Sequence, residues 1–159
     1  MKLKGKEENV LDAYCGIGTI SLCASKYCKK VTGVEIVREA IVDAKKNAKL
    51  NNITNAEFLL GDAGEVFEKL TAQGGKFSSV FVDPPRKGLD QKFIDTLLRL
   101  KPEKVVYVSC EPETLARDVK LLSEKYEVNT VQPVDMFPMT FHVETVASLI
   151  FKEHKKNPN

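Results

Sequence analysis

Apolar, β-branched runs alternate along the chain with segments in which apolar residues recur at helical spacing. In the first half these segments read, in order, NVLDAY, TISLCASKY, KVTGVEIV, REAIVDAKKNAKLNN and AEFLLGD. An alternation of this kind predicts βαβ units, in which parallel strands form one sheet that helices cover on both faces. The first half of the sequence therefore predicts an α/β fold.

The segment REAIVDAKKNAKL has a clear amphipathic pattern. The apolar positions that should face the core are Ala40, Ile41, Ala44, Ala48 and Leu50. The opposite side carries basic residues, which we interpret as a solvated helix face. These are Arg38, Lys45, Lys46 and Lys49.

In the second half, SSVFVD and KVVYVSC predict strands, KFIDTLLRL predicts a helix, and Pro112 marks the start of another helix. The last stretches, YEVNTVQPVDMFP and HVETVASLIF, predict two strands that pair antiparallel at one edge of the sheet. The expected fold is a mostly parallel sheet with an antiparallel edge strand.

Length and composition narrow the class of protein. A chain of 159 residues with 43% hydrophobic and 29% charged residues fits one folded domain over residues 1–159, with a disordered tail over 153–159. No apolar run approaches the roughly 20 residues that span a bilayer, so we expect a cytoplasmic protein without a membrane partner. The net charge of +2 is too small to indicate a nucleic-acid partner by itself.

The four cysteines, Cys15, Cys23, Cys28 and Cys110, lack the paired spacing of zinc sites. In the cytoplasm they would stay reduced, so we expect neither a metal site nor a disulfide. We interpret Cys23 and Cys28 as small buried hydrophobic residues. Cys110 differs from them because it ends a strand directly before a helix, where the helix dipole favours an anion.

A glycine pair follows the first predicted strand. Gly16 and Gly18 would let the backbone approach a ligand at a helix N-terminus, although Ser21 replaces the third glycine of the dinucleotide fingerprint. Glu35, 17 residues after Gly18, ends the second strand, where a carboxylate can accept hydrogen bonds from both hydroxyls of a ribose. The sequence thus predicts a nucleotide-type site.

Asp62 and Asp83 end the third and fourth predicted strands, so their carboxylates should converge with Glu35 on one cleft. A structural role as helix N-caps is the alternative. DAYCGIG, followed by Glu35, Asp62 and DPPR, resembles the class I S-adenosylmethionine-dependent methyltransferases, which implies a Rossmann-like fold and S-adenosyl-L-methionine as cofactor. A dehydrogenase, which shares the first motif and Glu35, is a remote alternative.

The motif DPPRKG carries two prolines that stiffen the turn after Asp83. Amino-directed nucleic-acid methyltransferases have a similar motif that ends in a base-stacking aromatic residue. Arg86 stands at that position here, which weakens this alternative.

Four motifs in order, DAYCGIG, DPPRKG, VSCEPETLARD and DMFPMTFHVET, resemble the RNA 5-methyluridine (uracil-C5) methyltransferases. The resemblance implies methylation of C5 of a uridine in ribosomal or transfer RNA, with Cys110 as the nucleophile and Glu144 as the proton acceptor. It also implies contacts to the cofactor, and for Asp83 to the target base as well, by Tyr14, Thr19, Glu35, Asp62 and Asp83. Glu111 replaces the asparagine that is usual in the family after the cysteine.

The last motif, DMFPMTFHVET, carries two further expectations. His142 is expected to form a structural hydrogen bond, and a hydrophobic group is expected to pack beneath the active-site loop, namely Met136, Phe137, Met139 and Phe141. Family members carry an N-terminal RNA-binding region that we expect this chain to lack. It would then need that region or a partner subunit, or it would be a cofactor-binding fragment without independent catalysis.

Overall fold

The computed structural model describes residues 8–136, 138–140 and 142–152. In it the chain divides into two compact units between Val82 and Asp83. The strands are β1 (Asn9–Ala13), β2 (Lys30–Glu35), β3 (Ala56–Leu60), β4 (Ser79–Val82), β5 (Lys104–Ser109), β6 (Tyr126–Val134) and β7 (Glu144–Phe151). The helices are α1 (Thr19–Ala24), α2 (Arg38–Leu50), α3 (Ala63–Ala72), α4 (Gln91–Leu100) and α5 (Pro112–Leu122).

The first unit holds four parallel strands in the order β3, β2, β1, β4. Every residue of β4 is buried, as expected for strands of a parallel sheet that is covered on both faces. The face of α2 packs on β3 around a small core cluster that consists of Cys15, Ile41, Ala44, Ala48 and Phe58. This packing fixes the carboxyl ends of β1, β2 and β3, where the predicted cofactor residues stand.

In the second unit, β7 pairs antiparallel with both β5 and β6. Buried and half-buried residues alternate along β7, whereas β6 is exposed after Tyr126. The predicted α/β organisation and the antiparallel pairing of the last two strands are therefore confirmed. None of the helices within the described residues is long and apolar enough to cross a membrane.

Helix α3 was not predicted from the sequence. Two local expectations were wrong. Leu50, assigned to the buried face of α2, is 79% exposed because it lies at the last turn of the helix. Cys23, assigned to the core, is exposed because Ser21 and Ala24 are the residues of α1 that face inward. The expected tail over 153–159 lies outside the described residues.

Candidate active site

The loop after β1 has an unusual backbone. Tyr14, Gly16 and Gly18 all have positive φ angles, of 68°, 53° and 88°. Gly18 is the N-cap of α1, and a Cβ there would lie 3.0 Å from the ring of Phe58. A left-handed tyrosine is uncommon and stores strain, which is often found at ligand-binding loops.

Glu35 connects this glycine loop to the end of β2. Its Oε2 accepts a hydrogen bond from the backbone N–H of Gly16 (3.1 Å), and its Oε1 accepts one from Val37 N–H (2.9 Å). A carboxylate has about four acceptor positions, so Glu35 can hold the loop and still accept hydrogen bonds from a ribose. The half-buried side chain is consistent with the predicted cofactor role, and it also holds the glycine loop through Gly16.

Asp12 and Ser21 were missed as members of the site. Both are fully buried, and Ser21 Oγ donates a 2.6 Å hydrogen bond to Asp12 Oδ2. An aspartate within an otherwise apolar strand was the available signal, because a buried carboxylate requires polar partners. The serine that replaces the third glycine therefore supports the loop from α1.

Two other predicted cofactor residues lie at helix N-termini in the same unit. Asp62 is the N-cap of α3 and accepts a hydrogen bond from Glu65 N–H (3.0 Å), which is the structural role considered as the alternative. Thr19 is the exposed first residue of α1. Contacts of Asp62 and Thr19 with a cofactor remain predictions.

In the second unit, the turn after Asp83 carries Arg86 to His142. Arg86 Nη2 lies 2.6 Å from His142 Nδ1 and 3.3 Å from Nε2. Because a guanidinium group only donates hydrogen bonds, Nδ1 of the imidazole acts as the acceptor. This contact supports the hydrogen-bonding role expected for His142 and connects the DPPRKG motif to the segment before Glu144.

The carboxyl group of Asp83 is in an unfavourable environment for its charge. Asp83 is exposed in part, but partial burial of its carboxyl group makes the largest contribution to a raised pKa. The nearby negative charge of Glu144 raises this pKa further. Glu144 is the half-buried first residue of β7. Two carboxyl groups thus approach each other in the second unit, which is a common arrangement for proton transfer.

Asp83→Asn is expected to raise the thermal midpoint of unfolding at neutral pH by no more than about 1 to 2 °C, because Asp83 is exposed and solvent screens its charge. A raised pKa in the folded state means that the ionised carboxylate destabilises the protein, and asparagine removes that charge. The gain should shrink as the pH falls through the raised folded-state pKa of Asp83 and be absent below about 3.9, the ordinary pKa of aspartate, where the wild-type group is protonated in both states. Paired melting curves over pH 3 to 8 test this, and a lower midpoint for the variant at neutral pH would contradict it.

Cys110 stands between Ser109, the last residue of β5, and the N-cap of α5. Ser109 Oγ accepts a hydrogen bond from Glu111 N–H (3.0 Å) and donates one to the Glu111 carbonyl (2.9 Å), which shapes the turn. Pro112 is the first helical residue, as predicted. The Cys110 side chain is half-buried and so retains an accessible surface.

The other cysteines are poorer nucleophiles or lie elsewhere. Burial raises the pKa of Cys15 to about 12, with smaller contributions from Asp12 and Glu35. Burial also raises the pKa of Cys28. Because the thiolate is the reactive form, both are unreactive near neutral pH, whereas Cys23 is exposed on α1.

The expectation that Met136 and Met139 pack beneath the active-site loop was wrong. Met136 is 60% exposed, and Met139 is fully exposed with a left-handed backbone. Phe137 and Phe141 lie outside the described residues. Within the described part of the chain, no cluster of three or more His, Cys, Asp or Glu side chains is arranged to hold a metal ion.

A family model described as tRNA (uracil-5-)-methyltransferase matches residues 2–152 of the chain. A Listeria innocua protein named an uncharacterized RNA methyltransferase is 57% identical over 147 residues, which are 92% of this chain and 32% of that protein. A protein of the same description from Halalkalibacterium halodurans is 56% identical over 146 residues, 91% of this chain and 32% of the relative. The chain thus spans about a third of the length of the curated relatives it matches.

The structure is also similar to solved structures of methyltransferases. The tRNA (uracil-54, C5)-methyltransferase of Pyrococcus abyssi, in complex with S-adenosyl-L-homocysteine, is similar with a TM-score of 0.78 and 39% identity, over 92% of this chain and 35% of that one. An rRNA methylase from Streptococcus thermophilus has a TM-score of 0.75 at 13% identity, over 92% and 88% of the two chains. The latter likeness supports the Rossmann-like methyltransferase fold alone.

Proposed function

Because the chain belongs to the tRNA (uracil-5-)-methyltransferase family, we propose that it catalyses transfer of a methyl group from S-adenosyl-L-methionine to C5 of a uridine in ribosomal or transfer RNA. The observation that carries the proposal is the placement of Cys110. It is an accessible cysteine at the turn between β5 and α5, in the same unit as the Asp83 and Glu144 carboxyl groups.

The cofactor would bind at the first unit. Glu35 would accept hydrogen bonds from the ribose hydroxyls while it holds the glycine loop through Gly16 N–H. Tyr14, Gly16 and Thr19 lie around the N-terminus of α1, and a Cβ on Gly16 would meet no protein atom within 4 Å, so a ligand could approach the backbone there. The bound cofactor supplies an electrophilic methyl group on a sulfonium.

The role of Cys110 follows from the electronic structure of uracil, whose C5 is a weak nucleophile. The Cys110 thiolate attacks C6 and forms an S–C6 bond, and the electrons of the C5–C6 double bond move towards the C4 carbonyl as an enolate. C5 would then take the methyl group as the bond between that methyl group and the sulfonium sulfur breaks, which leaves S-adenosylhomocysteine, and the original C5 proton remains in place. The reaction leaves an adduct in which RNA is bonded to Cys110.

Glu144 would complete the reaction by accepting the C5 proton. The C–H electrons re-form the C5–C6 double bond, and the S–C6 bond breaks to return the Cys110 thiolate. Burial and the nearby charge of Glu144 raise the pKa of Asp83, so Glu144 would act beside a carboxyl group whose ionised form is disfavoured. Cys110 is thus returned to its starting state, the C5 proton is on the carboxylate, and the methyl donor has become S-adenosylhomocysteine.

Incubation with labelled S-adenosylmethionine and RNA, followed by nuclease digestion and mass spectrometry, tests the proposal directly. We expect 5-methyluridine in transfer or ribosomal RNA. A product methylated at adenine N6, with full activity of Cys110→Ala, would instead support an amino-directed methyltransferase.

A cofactor-binding fragment is the second candidate, because the chain covers only 32% of the length of the Listeria innocua relative. Extrusion of a uracil from structured RNA costs a few kcal/mol, which RNA-binding surfaces on other parts of a longer protein would supply. Comparison of structured RNA with a single-stranded uridine oligonucleotide separates the candidates. Binding of S-adenosylhomocysteine without methylation of either RNA would favour the fragment.

Glu35→Ala is expected to weaken S-adenosylhomocysteine binding by about 10- to 100-fold in calorimetry, since it removes charge-assisted acceptors and the support of Gly16. Glu57→Ala is the matched control, because Glu57 is an exposed carboxylate of β3 that forms an ion pair with Lys30 on the neighbouring strand (2.5 Å). Equal affinities of the two variants would contradict the assignment. Tighter binding of NADH than of S-adenosylhomocysteine would favour a dehydrogenase.

A further inference from the structure

A buried carboxylate on α5 forms the centre of a hydrogen-bond network in the second unit. Asp118 is fully buried, and its Oδ2 accepts hydrogen bonds from Tyr107 Oη (2.7 Å) and from the backbone N–H of Leu89 (2.8 Å). Its Oδ1 accepts one from Arg117 Nε (2.8 Å). A buried carboxylate persists only when donors surround it, and here three donors come from a strand, a loop and the helix itself.

The same face of α5 holds the backbone of the DPPRKG turn. Thr114 Oγ1 donates to the Arg86 carbonyl (3.0 Å), and Arg117 Nη2 donates to the carbonyls of Lys87 (2.8 Å) and Leu89 (3.3 Å). Positions i, i+3 and i+4 of a helix share one face, which is the spacing of Thr114, Arg117 and Asp118. Four backbone groups between residues 86 and 89 are therefore bonded to this face.

Gly88 lets the turn approach the network. Its N–H donates to the Pro85 carbonyl (2.9 Å), and its φ of 76° is left-handed. A Cβ on Gly88 would lie 2.5 Å from Asp118 Oδ2 and 2.7 Å from Arg117 Nη2. The glycine of the motif is thus required by direct packing of the backbone on the network.

We propose that Asp118, with Tyr107, Arg117 and Thr114, is a positioning device that fixes the DPPRKG turn and thereby presents Asp83 and Arg86 to the target base. The inference rests on the proposed function. Pro84 and Pro85 join Asp83 to the anchored residues 86–89. Because proline fixes φ, these two residues restrict where Asp83 can lie relative to that segment. α5 also begins two residues after Cys110, so one helix sets the positions of the nucleophile and of the turn.

Two buried tyrosines provide a matched test. Tyr107→Phe removes the hydroxyl that donates to Asp118, whereas Tyr126→Phe removes one that donates to the carbonyls of Pro102 (3.0 Å) and Leu97 (3.4 Å). Both side chains are almost completely buried in the second unit. Because Tyr107 donates to a carboxylate and Tyr126 to carbonyls, Tyr107→Phe should lose more stability, so kcat is compared at a temperature well below the unfolding midpoint of either variant. We expect Tyr107→Phe to lower kcat for RNA methylation about tenfold, with KM for S-adenosylmethionine changed less than about twofold. Tyr126→Phe should change neither by more than about twofold.

Thr114 provides a test with rescue. Thr114→Val keeps the shape of the side chain but removes the hydroxyl, whose oxygen lies 3.0 Å from the Arg86 carbonyl oxygen and 3.1 Å from that of Glu111, and should lower kcat about fivefold. Thr114→Ser restores the hydroxyl and should restore kcat. Equal loss of kcat in both tyrosine variants, or equal activity of the valine and serine variants, would overturn the proposal.

Amide hydrogen exchange separates failure of this inference from failure of the proposed function. Tyr107→Phe should accelerate exchange at Leu89, the N–H that shares Asp118 Oδ2, and Tyr126→Phe should not. Absence of any RNA product from the wild-type chain would count against the proposed function. In that case, amide exchange at Leu89 still tests whether Asp118 holds the DPPRKG turn. Unchanged exchange at Leu89 in Tyr107→Phe then overturns the device, and faster exchange supports it.

Discussion

Replacement of Cys110 by alanine is expected to lower RNA methylation by at least about four orders of magnitude and to abolish the covalent adduct. Without the thiolate, C5 of uracil has no source of electrons with which to attack the methyl group. All predicted cofactor residues except Asp83 lie in the first unit, and Asp83 is unchanged in this variant, so binding of S-adenosylhomocysteine should remain within about twofold of wild type. Calorimetry and product mapping on the same preparation measure both effects.

RNA that contains 5-fluorouridine sharpens this experiment. Fluorine at C5 cannot be removed as a cation, so after methyl transfer the adduct with the wild-type protein should persist through denaturing electrophoresis. Cys110→Ala should give no such band. Cys23→Ala is the matched control because Cys23 is also accessible, on α1 of the first unit, and should form the adduct normally. An adduct in Cys110→Ala, or its loss in Cys23→Ala, would contradict the assignment of the nucleophile.

The prediction of the fold succeeded where strand and helix patterns were local. β-branched runs and the glycine loop indicated β1, α1 and β2, and the proline after Cys110 indicated the start of α5. The family predicted from four motifs is confirmed by the match over residues 2–152. Such motifs are informative because each joins a strand end to a turn of restricted geometry.

α3 was missed although its signal is present in the sequence. Asp62 followed by Glu65 has the spacing of an N-terminal capping pair, and Asp62 does accept a hydrogen bond from Glu65 N–H. The N-cap role given as the alternative for Asp62 was therefore correct, but the helix that it begins was not predicted. Gly64 in the first turn also lowers the apparent helix propensity of the segment.

The Asp118 network could not be predicted from the sequence. Its partners, Leu89, Tyr107 and Asp118, are 11 to 29 residues apart, and no periodicity relates them. The contact arises when α5 packs beside β5 and the DPPRKG turn, so it depends on tertiary structure. The exposure of Met136 and Met139 is of the same kind, since hydrophobic residues in a loop carry no pattern that specifies burial.

Glu144→Gln should stop the reaction after methyl transfer, because glutamine keeps the size and most hydrogen bonds of the side chain but cannot accept the C5 proton. Unlike Cys110→Ala, this variant should attack ordinary RNA, transfer one methyl group and retain a methylated RNA–protein adduct through denaturing electrophoresis. Turnover should fall by about 10²- to 10⁴-fold, the contribution typical of a positioned general base.

Asp83→Asn identifies which carboxylate of the pair accepts the proton. Asp83 and Glu144 influence each other electrostatically, so either is a chemically reasonable base. If Glu144 is the base, Asp83→Asn should lower the rate of adduct formation without accumulation of adduct, because the step after methylation is intact. Mass spectrometry of the adduct from Glu144→Gln should find the methylated nucleotide on Cys110 and leave Cys15, Cys23 and Cys28 unmodified. Normal turnover by Glu144→Gln, or accumulation of the adduct in Asp83→Asn instead, would transfer the role of base to Asp83.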